Sequence, residues 1–98
     1  MIVGEVIGTI VATRKEERLS GLKLLIVKII DVDLKPTGQF LIAVDAVGAG
    51  DGETVLCAQG SSARLTAKTK DCPVDAVIMG IVDTIEIQGK PVYEKYAG

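Results

Sequence analysis

Histidine and tryptophan are absent from this 98-residue chain, and Phe40, Tyr93 and Tyr96 are its only aromatic residues. Histidine is the commonest general base near neutral pH and the commonest metal ligand, so its absence removes the simplest routes to catalysis and to metal binding. Few aromatics also leave little surface on which nucleic-acid bases could stack. These absences favour a structural or assembly role and predict that the protein is not an enzyme.

Cysteine and long apolar runs are also scarce. Cys57 and Cys72 form no CxxC pair, so the sequence predicts no zinc site, no other metal and no cofactor. We expect Cys57 to act as a small buried hydrophobe and both thiols to be reduced. The N-terminal residues do not resemble a signal peptide, and no apolar run reaches the roughly 18 residues that span a bilayer. The sequence predicts a cytoplasmic protein with no membrane partner.

The charge balance is close to neutral, with a net charge of −2. Nucleic-acid-binding domains usually carry a basic face, so no nucleic-acid partner is expected, although an OB-type nucleic-acid-binding module remains the alternative interpretation. Apolar residues make up 48% of the chain, and the mean hydropathy is +0.39. A domain this small cannot bury so much apolar surface, and exposed apolar patches mark association surfaces. The composition therefore predicts an oligomer.

Five β-rich segments predict one all-β domain over residues 1–98. The segments cover residues 2–13, 22–32, 40–45, 53–59 and 76–87. A helical turn over 60–65 is predicted after the fourth segment, with Ser61 or Ser62 as its cap. Five short strands predict a small, partly open barrel of the OB type. Residues 88–98 are predicted to form a C-terminal tail that lies along a sheet edge or along another subunit.

Two further features concern the outside of this barrel. Residues 22–32 are apolar on both predicted faces, which indicates that another subunit covers the outer face. Residues 2–13 carry Gly4 and Gly8, and strand glycines are typical of a bulge or a sharp bend. The charged residues 14–21 are predicted to form an exposed hairpin tip, the alternative being a docking surface.

The most distinctive motif is the glycine loop, residues 48–53. Its members are Gly48, Ala49, Gly50, Asp51, Gly52 and Glu53. The loop has neither the spacing nor the lysine of a phosphate-binding loop, and Glu53 stands where a dinucleotide-binding motif needs its third glycine. The remaining interpretations are a flexible connector or a loop packed tightly against its own symmetry copies, where only glycine fits.

The polar residues near this loop allow several interpretations. Asp45, Asp51 and Glu53 lack the ligand spacing of an EF-hand, but in a ring of subunits one carboxylate per subunit would form a ring on the axis, which tunes the passage of ions. For Asp51 a solvated turn is favoured. Ser61 and Ser62 have no activating base and are predicted as caps. Arg64 is predicted to pair with a neighbour or to lie in solvent.

A small enzyme that works as a ring, with its active site between subunits, is a further alternative. It would require Cys72 to lie beside a strong base in an interface pocket. The missing histidine argues against this reading.

From about residue 6 to residue 87, the chain resembles the EutN/CcmL family, the pentameric vertex proteins of bacterial microcompartment shells. The resemblance rests on seven segments in order: GTIVAT (8–13) with Lys15, LSGLKLL (19–25), AVDAVGAGDGE (43–53), Val55-Leu56, GSSAR (60–64), PVDAV (73–77) and GIVD (80–83). Each segment alone is a weak signal, and their order in a chain of this length makes the match specific.

The resemblance implies a five-stranded OB-like barrel that assembles as a cyclic homopentamer. Such pentamers occupy the five-fold vertices of a shell that is otherwise built from hexameric proteins, which would be the partners of this chain, and the shell encloses metabolic enzymes. The resemblance and the glycines together predict that residues 48–53, with Ser61, Ser62 and Arg64, lie near subunit contacts or a pore. Residues 88–98 match no shared pattern.

Overall fold

The computed structural model describes residues 1–96. It contains seven strands, namely β1 (Ile2–Ile10), β2 (Leu24–Ile30), β3 (Pro36–Asp45), β4 (Thr54–Gln59), β5 (Ala76–Ile81), β6 (Thr84–Ile87) and β7 (Lys90–Glu94). Short 3₁₀-helices cover Glu17–Leu19 and Gly60–Arg64. The last two positions of the predicted tail, Ala97 and Gly98, lie outside the described residues.

The first five strands form a barrel in the order β1-β2-β3-β5-β4, which confirms the predicted five-stranded OB-like fold. The barrel is closed and not partly open as predicted, because β3 pairs with β5. All pairings in the barrel are antiparallel except the short parallel contact between β3 and β5. That contact joins Val44 to Val77 and Asp45 to Ile78, and it closes the barrel directly before the glycine loop begins.

Strand β1 is bent, as its glycines predict. The register against β2 shifts between Val6 and Gly8, so Ile7 is the extra residue of a bulge, and it is 45% exposed. Before the bulge β1 pairs with both β2 and β4, and after it β1 pairs with β2 alone. The strand ends at Ile10, three residues earlier than predicted.

The barrel interior contains residues that alternate along the strands. Leu25 and Val27 of β2 are buried, together with Val6, Val55 and Ile78 from three other strands of the barrel. The outward residues of β2 are only half-buried within the single chain. A second buried cluster lies under the loop between β4 and β5, and Ala63 of the 3₁₀-helix is its fully buried contribution from that loop.

Two predicted strand boundaries were wrong. Strand β3 begins at Pro36 and not at residue 40, because the Thr37 hydroxyl donates to the Ile29 carbonyl and extends the pairing with β2. The predicted strand 76–87 is two strands that break at Val82 and Asp83. Within the predicted tail, Lys90–Glu94 form strand β7, which pairs with β6 across a turn in which Gln88 (φ 53°) and Gly89 (φ 78°) both have positive φ.

Much apolar surface stays exposed. The chain exposes 6106 Å², whereas area scaling gives about 5,400 Å² for a compact monomer of this mass. Large side chains on this surface include Val11 (89% exposed), Val32 (59%) and Phe40 (57%). Over residues 1–96, no helix is both long enough and apolar enough to span a membrane.

Candidate functional site

The glycine loop begins at a buried carboxylate. Asp45 ends β3 with 6% of its surface exposed. Its Oδ1 atom accepts the backbone N–H groups of Val47 and Gly48, each at 3.0 Å, which forms a local side-chain turn. Gly48 follows with φ +79°, in the left-handed region that favours glycine. Asp45 thus starts the loop and is not placed as an ion ligand.

The centre of the loop is packed against the barrel. Ala49 is 1% exposed and belongs to the barrel core, so its side chain makes its contacts within the chain. The Lys23 ammonium lies 3.4 Å from the Ala49 carbonyl oxygen. Gly52, with φ +83°, donates its N–H to the Val6 carbonyl at 2.8 Å, directly before the β1 bulge. The bulge and the loop therefore position each other.

Glu53 connects the loop to the C-terminal hairpin. Its Oε1 atom accepts the Gly50 N–H at 2.7 Å, and its Oε2 atom accepts from the Lys95 ammonium at 2.5 Å. The side chains of Glu53 and Lys95 are each 24% exposed. In the backbone, the Glu53 carbonyl accepts the Val6 N–H at 3.0 Å. The Glu53 carboxylate thus joins the loop to the chain end, and the Glu53 backbone carbonyl joins the loop to the first strand.

The hydrogen bond from Lys95 is the main cause that lowers the pKa of Glu53 below its ordinary value of 4.5, and the Gly50 N–H adds to it. The same bond raises the pKa of Lys95 above its ordinary value of 10.5. A lowered carboxylate pKa contributes stability above pH 4.5 that is lost as the pH falls through the lower, folded-state pKa. The ion pair is therefore complete near neutral pH and breaks in acid.

This ion pair predicts an acid transition that tyrosine signals can report. Tyr93 and Tyr96 are the only tyrosines, and there is no tryptophan, so near-ultraviolet circular dichroism reports on the hairpin and its end. We expect the tyrosine signal to change as the pH falls below 4.5, the ordinary pKa of Glu53. Asp83 also lies near Lys95, so an acid transition by itself does not identify Glu53 as its source. Glu53→Gln removes only the Glu53 carboxylate and is therefore the control. An identical acid transition in Glu53→Gln would contradict the assignment.

The other candidate residues take simpler positions. Asp51 is exposed at the tip of the loop, as expected of a solvated turn. Ser61 and Ser62 are exposed within the 3₁₀-helix and do not cap it, which is a correction: Gln59 occupies the cap position, without a side-chain bond. The helix begins at Gly60, one residue before the serines. Arg64 donates from Nη1 to the Val74 carbonyl at 3.1 Å, so its observed partner lies within the chain.

Neither cysteine is placed for nucleophilic chemistry. Cys57 is fully buried in the barrel core, and burial raises the pKa of its thiol to about 11, so it is the small buried hydrophobe that was predicted. Cys72 is partly exposed, and its Sγ lies 3.6 Å from the Lys70 carbonyl oxygen. Among residues 1–96 no group of three or more metal-ligating side chains comes together. The site therefore consists of hydrogen-bonded backbone and exposed surface. Over the described part of the chain, no cluster of metal-ligating groups is assembled there.

Sequence reasoning missed Lys95, whose contact with Glu53 spans 42 positions. It also missed Lys23 as a support of the loop. No local signal marks either lysine, since each acts only after the barrel has closed.

The chain is thus a small closed β-barrel with a glycine loop packed against its core and exposed apolar side chains on its walls, features typical of proteins that assemble. A model of the family described as "Ethanolamine utilisation protein EutN/carboxysome" matches residues 1–83. The carboxysome shell vertex protein CcmL of Gloeobacter violaceus is 43% identical over 95 residues, which cover 97% of this chain and 95% of that protein. The chain belongs to the EutN/CcmL family.

Solved structures agree with this assignment. The structure of Gloeobacter violaceus CcmL has a TM-score of 0.96 to this chain, with 42% sequence identity, and the match covers 99% of this chain and all of that one. The structure titled as the GrpN pentameric microcompartment shell protein from Rhodospirillum rubrum has a TM-score of 0.81 and 48% identity, over 89% of this chain and 100% of its own. These relatives are named shell proteins, and the nucleic-acid alternative has no support among them.

Proposed function

We propose that this chain is a structural shell vertex protein, which assembles as a cyclic homopentamer and caps the five-fold vertices of a bacterial microcompartment in the cytoplasm. The observation that supports this most directly is a full-length likeness to a shell vertex protein and to a pentameric shell protein. The exposed apolar surface of the single chain gives the physical reason for association.

The role follows from geometry. A flat sheet of six-fold units cannot close, and a five-fold unit at each corner introduces the curvature that closes it. The partners would therefore be hexameric shell proteins that meet the outer edges of the pentamer. The enclosed metabolic enzymes would be separated from the cytoplasm by the completed shell.

A cyclic ring needs two different, complementary surfaces on each subunit. The barrel exterior offers two apolar regions. On one side Val3 pairs with both Leu56 and Ile30, so these three side chains adjoin on one wall. On another wall Phe40 and Ile42 of β3 are exposed. The two regions lie on different strands, and a head-to-tail ring requires two different surfaces.

We also propose that the glycine loop and the segment Gly60–Arg64 line the contacts between subunits or a pore on the axis. Gly48, Gly50, Asp51, Gly52 and Glu53 supply the loop surface, since Ala49 points into the barrel core. Ser61, Ser62 and Arg64 supply exposed polar groups from the helix. Copies of Asp51 around a five-fold axis would form a ring of carboxylates that favours cations.

Gly50 allows a direct test of this placement. Its φ is not positive, and a Cβ added there would meet only the Glu53 Oε1 atom, at an ordinary 3.6 Å. A Cβ atom therefore fits at this position within the single chain. We expect Gly50→Leu to prevent pentamer formation while leaving the far-ultraviolet circular dichroism of the barrel unchanged, and Gly50→Ala to have a weaker effect.

The measurement is the molar mass by light scattering after size exclusion. A Gly50→Leu protein that forms a pentamer as readily as the unmodified chain would place the loop away from tight contacts.

A further inference from the structure

The hairpin formed by β6 and β7 stands apart from the barrel. Within residues 1–96 the two strands pack extensively only against each other. The described links to the barrel lie at the hairpin base, where the Val82 N–H donates to the Thr54 carbonyl at 2.8 Å and the Lys95 side chain pairs with Glu53. The Lys95 N–H closes the base itself by donating to the Asp83 carbonyl at 2.8 Å. The match to the family model ends at residue 83, directly before this hairpin begins. The hairpin is therefore an addition to the barrel that the family model describes.

A two-stranded hairpin in water is at best marginally stable and requires a further surface to pack on. This hairpin is amphipathic. Ile85 pairs with Tyr93, and these two side chains with Ile87 are its partly buried apolar face. Thr84 and Glu86 alternate with the isoleucines along β6 and are exposed. This apolar face is only partly buried within the single chain, so part of it stays open to a further surface.

An apolar groove of matching character lies open on the barrel wall. It is lined by Val3, Ile30 and Leu56 on adjacent strands, with Met1 and Val32 at its edge. Met1 is 75% exposed and Val32 is 59% exposed. The residues come from β1, β2 and β4, so the groove has a rigid floor of paired strands.

We propose that the hairpin is an arm that packs its apolar face into this groove on the neighbouring copy of the chain, with the Glu53–Lys95 ion pair holding the arm at its angle. This inference rests on the proposed pentamer. The occupant is a second copy because a ring brings an unlike surface of the next subunit against each subunit, and arm and groove are such a pair. The single chain also exposes 6106 Å², about 700 Å² more than a compact monomer would.

The arm strengthens the ring and is not its sole contact. The GrpN structure, titled as pentameric, is matched over its whole length by 89% of this chain, so a shorter chain suffices for a pentamer in that protein. Loss of the arm should therefore leave a pentamer that dissociates more easily.

The test compares Ile85→Thr with Glu86→Thr in the full chain. Both variants place the same β-branched residue on β6, the first on the apolar face and the second on the opposite face. By sedimentation velocity over a dilution series, we expect Ile85→Thr to raise the protein concentration of half-dissociation by about tenfold, since burial of one such side chain contributes at least this factor. Glu86→Thr should leave that concentration unchanged.

A second pair of variants tests the groove without altering the arm. Val32→Lys adds a charge at the exposed edge of the groove, and Val11→Lys adds one at another exposed valine outside it. We expect only Val32→Lys to raise the protein concentration of half-dissociation. Equal values for Ile85→Thr and Glu86→Thr, or for Val32→Lys and Val11→Lys, would overturn the proposal. A monomeric unmodified chain would instead overturn the proposed function.

Discussion

Replacing Gly4 with alanine is expected to lower the free energy of unfolding by about 3 kcal/mol, the upper end of the usual cost of overpacking a closed core. A Cβ at this position would lie 2.3 Å from Val27 Cγ1 and 2.8 Å from the Lys28 carbonyl oxygen. Val27 is fully buried and the carbonyl belongs to the β1–β2 ladder, so neither atom can move away without opening the barrel. Gly4 is required for space and not for its φ.

Gly8→Ala is the matched control on the same strand. A Cβ there would meet only Ile26 Cδ1, at 3.5 Å, which is the flexible end of a side chain. Thermal unfolding at one fixed protein concentration should show a fall in Tm of about 15 °C for Gly4→Ala and little change for Gly8→Ala. Equal Tm values for the two variants would show that the barrel tolerates a side chain at Gly4.

Replacing Asp45 with alanine is expected to cost about 2 kcal/mol, because two backbone N–H groups would lose a charged acceptor. Those groups belong to Val47 and Gly48, at the start of the glycine loop. The carboxylate is buried at the point where the short β3–β5 pairing closes the barrel. Its removal should loosen the loop as well as the closure.

Asp45→Asn removes the negative charge but keeps an acceptor, since the amide oxygen can still accept both N–H groups. Urea unfolding at matched protein concentration should place Asp45→Asn between the unmodified chain and Asp45→Ala. If Asp45→Ala unfolds at the same urea concentration as the unmodified chain, the loop does not depend on this contact.

The barrel itself could be predicted from local patterns. Two local features predict paired, bent strands. Leu25 and Val27 alternate with less buried neighbours, and β1 contains strand glycines. The bulge at Ile7 also follows from Gly8, because a glycine inside a strand marks such irregularities. These features depend on neighbours in the sequence, so the sequence displays them.

The C-terminal hairpin could not be predicted in the same way. The apolar residues between positions 78 and 87, many of them isoleucine, predict one strand that only Asp83 interrupts. The break forms because the Val82 N–H donates to the Thr54 carbonyl, and the Asp83 carbonyl then accepts from Lys95. Both partners are distant in the chain, and no local periodicity encodes such a contact.

The serine prediction failed for a related reason. Ser61 and Ser62 are good capping residues, yet the chain enters the 3₁₀-helix one residue earlier, at Gly60. The Gly60 N–H donates to the Asp75 carbonyl at 2.8 Å, and this contact with the approach to β5 sets the start of the helix. Tertiary contact overrides cap preference here.

In the proposed cyclic pentamer each barrel buries its excess apolar surface against its two ring neighbours. Native mass spectrometry of the purified full chain tests this most directly. The account predicts a dominant species of five times the 10.3 kDa chain mass. A dominant species at 10.3 kDa that persists as the protein concentration is raised would contradict it.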